Sequence, residues 1–128
     1  MIIKEIDKEL DLDELWRWYR GQGWDSKRDD DIFPEIGYMV KDHAAVWVYI
    51  DSECKFAWVA FQVINPRKNM AMAMKALHLL YEKVEASCKG AGIKYLQQTV
   101  SHSSLKKLAL QHNYAEGEGG LSSYWKVL

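Results

Sequence analysis

Phe56 to Ser87 is FAWVAFQVINPRKNMAMAMKALHLLYEKVEAS, and its reading decides the fold. The first nine residues form an apolar run of strand length. Asn65-Pro66-Arg67-Lys68-Asn69 breaks it as a polar, basic turn. A long helix is then expected over about Asn69 to Cys88, with Met70, Met74, Leu77, Tyr81 and Val84 as its buried stripe. Lys75, His78, Glu82 and Glu85 fall largely off that stripe. Gly90 and Gly92 end the helix, and Ile93 to Val100 has strand character again. Strand, helix and strand in succession predict a βαβ unit with a parallel pairing.

Upstream, Met1 to Ile6 reads as a short strand. A helix follows, with Asp11 as its expected cap, Glu14 completing a capping box, and Leu10 and Leu15 as a hydrophobic staple. Leu12, Leu15, Trp16 and Tyr19 share one face, and Gly21 supplies a stop. From Gln22 to Glu35 the periodicity vanishes. The block Asp29-Asp30-Asp31 reads as solvated loop; the sharper reading is a substrate-facing loop offering carboxylates to an amine, with Trp24 or Phe33 as a wall. Gly37 to Val40 and Ala44 to Ile50 are strands joined by a turn at Lys41-Asp42-His43. The second of them has two apolar faces, which predicts a central position. With Lys55 to Ile64 it makes three short-turn strands, an antiparallel meander.

Downstream, a short helix is expected from Ser103 to about His112, with Asn113 in the left-handed position after it. Tyr114 to Leu128 reads as one or two strands broken by Gly117, Gly119 and Gly120. The order is βαβββαβαβ with a further β allowed at the end. This is an α/β fold with a mixed, mainly antiparallel sheet and flanking helices.

The chain has 128 residues, 48% of them apolar and 27% charged, which predicts one ordered globular domain over 1–128. Six Trp and seven Tyr point to a core built from large pieces. A net charge of −1 argues against a nucleic-acid-coating role. No run approaches the ~18 apolar residues of a membrane span, and the start is too charged for a signal peptide. Cys54 and Cys88 are too few for a disulfide framework, so free thiols in a reducing cytoplasm are expected.

Charge around the long helix is unusual. Acidic residues normally stabilise a first helical turn by ~0.3–1 kcal/mol each. Here the first acid is Glu82, more than two turns in, while Arg67, Lys68 and Lys75 sit at or near the positive end. An anion arriving from outside would correct this, held by helix amides and two basic side chains. The plain alternative is that Arg67 and Lys68 point into water.

The spacing Lys68-x-x-Ala71-x-Ala73 puts methyl-sized side chains on the first turn, where a ligand would come close. This layout resembles the GNAT superfamily of N-acyltransferases, whose acyl-CoA pyrophosphate loop is Arg/Gln-x-x-Gly-x-Gly/Ala after the fourth strand and before the third helix. A later family signature is Asn, an Ala three residues on, a Leu-Tyr pair and Gly-Phe. Ser101 to Tyr114, SHSSLKKLALQHNY, is similar in shape, with Asn113-Tyr114 in place of Gly-Phe. In element order the resemblance covers essentially the whole chain. It implies splayed fourth and fifth strands with the pantetheine arm against the fourth. The implied site is Val63, Ile64, Arg67, Lys68, Asn69, Met70, Ala71, Met72, Ala73 and His102.

The resemblance further implies direct transfer from acetyl-CoA or another acyl-CoA to an amine on a small molecule or peptide, with the carbonyl held by a backbone amide near Val63. No metal, no nucleic acid and no membrane are expected, and the chain is expected to be a monomer or homodimer. Three departures stand out. Alanines replace both loop glycines, which crowds the backbone. His102 occupies the place of the family's Asn. Ala109 stands where many members carry a Tyr that protonates the departing thiolate. An attacking amine needs a base or a water chain, for which Glu35 and Tyr124 are the titratable candidates. The alternative function is a GNAT-like module that binds CoA or a protein without turnover. A third is an unrelated α/β domain whose exposed aromatics form an interface. His43, His78, His102 and His112 show no metal-ligand spacing, and the serines around His102 lack a nucleophile elbow.

Overall fold

The structure, a computed structural model, describes residues 1–51, 53–99, 103–116 and 123–128. Its elements are β1 (Ile3–Glu5), α1 (Lys8–Gly21), a single 3-10 turn (Asp30–Ile32), β2 (Ile36–Val40), β3 (Ala44–Asp51), β4 (Phe56–Ile64), α2 (Met70–Gly90), β5 (Tyr95–Thr99), α3 (Ser103–Gln111), β6 (Ala115–Glu116) and β7 (Ser123–Val127). The expected order holds, and the final segment makes two strands. Pairing is antiparallel for β1 with β2, β5 with β7 and β6 with β7, and parallel for β4 with β5. The βαβ unit read from Phe56 onward is therefore present, in a mixed, mainly antiparallel sheet with flanking helices.

The chain divides into two compact units, Met1–Trp47 with Phe61–Leu80, and Val48–Ala60 with Tyr81–Leu128. In the first, strands follow the order β1, β2, β3, β4. Its core joins Leu12, Leu15, Trp16, Trp18 and Tyr19 of α1 to Phe33, Met39, Ala45, Trp47 and Val63. Phe33 is a core residue, not a substrate-facing wall: its ring stacks on Trp47 at 4.7 Å. Gly37 is required there, because a Cβ would lie 2.5 Å from the Trp47 ring and 2.7 Å from Ile6 Cδ1.

The start of α1 corrects the sequence reading. Asp7, in extended conformation, is the cap and accepts from the amides of Glu9 and Leu10. Asp11 lies inside the helix, where its carboxylate accepts from Asp7 N at 2.7 Å and pairs with Lys4 Nζ at 2.7 Å. The reciprocal capping, between Asp7 and Asp11, thus sits one turn earlier than expected, because the helix already starts at Lys8. Leu10 is 77% exposed and makes no staple. Gly21 is the last helical residue, and Gly23 takes the positive φ, +96°.

In the second unit the strands follow the order β3, β4, β5, β7, β6. Parallel pairing registers Phe56 with Tyr95 through Val59 with Gln98. Ala57, Val59, Leu96, Leu108 and Tyr114 are buried, as are the α2 residues Tyr81, Val84 and Cys88. Tyr81 Oη donates to Gln98 Oε1 at 2.5 Å, and Lys126 Nζ meets Glu85 Oε2 at 2.6 Å. Asn113 takes φ +65°, as expected after α3. β3 is flanked by β2 and β4, but its far end, Tyr49 and Ile50, is exposed.

Candidate functional site

Within the first unit, the end of β4, the turn after it and the start of α2 are held by side chains. Phe61 has φ +53°, a left-handed conformation inside a strand. Its carbonyl accepts from Tyr19 Oη at 2.5 Å. Burial pushes that hydroxyl well above its ordinary range, so it stays a proton donor. Ile64 N donates to Gln22 Oε1 at 3.0 Å, and Asn65 N to His43 O at 2.8 Å.

Asn65 organises the turn. It is buried, its Nδ2 donates to Asp42 O at 2.9 Å, and its Oδ1 accepts from Arg67 N at 3.0 Å. Lys68 N closes onto Asn65 O at 3.2 Å, a β-turn with Pro66 at the position that prefers proline. Asn69 caps α2: its Oδ1 accepts from Ala71 N at 2.8 Å and Met72 N at 3.4 Å, and its carbonyl from Ala73 N at 3.0 Å. Arg67, Lys68, Met70, Ala71 and Met72 are exposed, and α2 has no acid in its first turn. Met70, 51% exposed, leaves the stripe assigned to it from sequence; Ala73, Ala76 and Leu80 join Leu77 as fully buried residues.

The run from Val63 to Ala73 is therefore contiguous, but its parts differ. Val63 and Ala73 point into the interior. The amides of Arg67, Lys68, Ala71, Met72 and Ala73 already have protein acceptors. Exposed charge belongs to Arg67 and Lys68. His102 lies outside the described residues. Glu35 is exposed just before β2. Tyr124 has its backbone in β7, opposite Gln98 and Glu116, and its side chain lies outside the described residues. Ala109 is fully buried.

The acidic loop is largely committed to structure. Asp30 accepts from Trp16 Nε1 at 2.7 Å and pairs with Arg28, which also reaches Asp13 at 2.6 Å. The Arg28 guanidinium holds the Asp30 carboxyl below its ordinary range. Asp29 caps the 3-10 turn through Asp31 N at 3.0 Å. Cys88 is buried, and burial pushes its thiol up to about 11, which removes it as a nucleophile near neutral pH. The sequence marks Asn65 only as the first residue of the turn and does not mark Gln22 at all. A proline after Asn65 was the available signal for its role.

No protein-family model matches the sequence, and no curated protein matches it. Solved structures do match in fold. Rv2747 from Mycobacterium tuberculosis, a complex with CoA and NLQ, superposes with a TM-score of 0.78 at 6% identity, covering 100% of this chain and 99% of that one. Aminoglycoside 6′-acetyltransferase type Ii gives 0.74 at 14% identity, covering 100% and 96%. An acetyltransferase of the GNAT family from Staphylococcus aureus Mu50 gives 0.71 at 14% identity, covering 99% and 98%. The chain has the fold of the GNAT N-acyltransferases, at 6–14% sequence identity to these neighbours.

Proposed function

We propose that the chain binds an acyl-CoA at the turn between β4 and α2 and transfers its acyl group to an amine. The observation that carries this is the start of α2, which has exposed Arg67 and Lys68 before it, no acid before Glu82, and the GNAT fold around it. That end of a helix carries about half a positive charge, so a pyrophosphate would find amide dipoles and two cations together. Arg67 and Lys68 would hold it, and the exposed Ala71 and Met72 would border it. Asn69 now occupies the amides of Ala71 and Met72, and an anion would have to share or take over those donors. A neighbour of the same fold holds CoA.

Bound acyl-CoA supplies an activated thioester. What this chain adds is position, through the backbone at the end of β4, and a route for the amine's proton, for which Glu35 and Tyr124 are the candidates. A second reading, binding without turnover, is favoured by one specific observation. Position 109 is Ala, whose methyl side chain has no hydroxyl to offer a departing thiolate.

Titration calorimetry with CoA tests the shared premise. Binding that is weakened by Lys68→Glu supports it, and no heat at millimolar CoA sinks it. Thiol release from acetyl-CoA across a panel of amines then separates the enzyme from the module.

A further inference from the structure

We infer that Gln22 is a built-in occupant of the β4 amide on which the arm of an acyl-CoA would anchor, so that side chain and ligand compete for the Ile64 N–H. This rests on the acyl-CoA reading above. Asn65 N donates toward His43, on the β3 side of β4. Successive strand amides point to opposite edges, so the Ile64 amide faces the edge away from β3, and the acceptor it meets there is a side chain.

The contact is a built one. The Gln22 backbone is fixed in helical conformation at the end of α1, its N–H shared by Trp18 O and Tyr19 O at 3.1 Å. Gly21 lets α1 close on the turn: a Cβ there would lie 2.6 Å from Pro66 Cγ. Chain geometry therefore delivers a carboxamide oxygen to a strand-edge amide. The amide carbonyls of a pantetheine arm are chemically equivalent acceptors. Asn69 does the same at the start of α2, so side-chain amides from both flanks cover donors that the ligand would use. Gln22 itself is exposed, and a single exposed hydrogen bond is readily displaced.

The test is calorimetry of CoA and of 3′-phospho-ADP, the nucleotide without the arm, on the wild-type chain, Gln22→Ala and Gln22→Met. The second variant keeps length and removes the acceptor. Both variants are expected to bind CoA about two- to tenfold more tightly, with nucleotide affinity unchanged. Equal or weaker CoA binding in both overturns the role of Gln22 while leaving CoA binding in place. A gain shared by the nucleotide also overturns it, because the arm is then not what competes. No CoA binding by any of the three chains overturns the acyl-CoA reading, and this inference with it.

Discussion

Tyr19 on α1 donates its hydroxyl to the carbonyl oxygen of Phe61 at 2.5 Å, across 42 residues of sequence. A helix thereby holds a strand residue at positive φ, and with it the path of β4 toward the turn. Tyr19→Phe keeps the ring and removes the donor. Leaving the half-buried carbonyl without it is expected to cost about 1–3 kcal/mol in urea unfolding. A variant as stable as the wild type would show that the bond does not hold the distortion.

Asn69→Ala removes the α2 cap and is expected to destabilise the chain by about 0.5–2 kcal/mol. The same change uncovers the amides of Ala71 and Met72. CoA should therefore raise the melting temperature of the variant more than that of the wild type. An equal or smaller shift would mean that these amides do not meet the ligand.

Gly37→Ala places a methyl group against Trp47 and Ile6 at distances that neither fully buried indole nor its neighbours can relieve without repacking. Overpacking of this kind typically costs 1–3 kcal/mol, and about the upper end is expected here. Gly90→Ala, where the new Cβ meets nothing within 4 Å, is the control and should be near neutral. Chemical denaturation of the pair checks the contrast.

Stability should fall at both ends of the pH scale. The Asp30 carboxyl is held low, first by Arg28 and then by Trp16, so its contribution is present above the ordinary carboxylate pKa and is lost as pH falls through the folded value. The pair is substantially solvent-exposed, so the effect is small. Asp30→Asn should flatten the acid limb slightly. Tyr19 and Tyr114 are raised by burial above their ordinary 10.0, so their contribution is complete below that pH and declines above it. Tyr19→Phe should flatten the alkaline limb; an unchanged limb in a melting series from pH 8 to 11 would contradict the burial argument.

Element order, the parallel βαβ unit and the apolar face of α1 were legible in the sequence because each rests on local periodicity. The acid-free, basic approach to α2 was legible too, since charge near a helix end is a matter of counting. What only the tertiary structure decided are the contacts that join distant segments. Asp7 takes the cap that spacing assigns to Asp11, whose carboxylate meets Lys4 Nζ and Asp7 N instead, and Phe33 goes into the core by stacking on Trp47. Asn69 and Gln22 take amides that a sequence reading leaves open to a ligand. An amide's availability depends on which acceptor the fold brings to it, and for Ile64 that acceptor comes from 42 residues away.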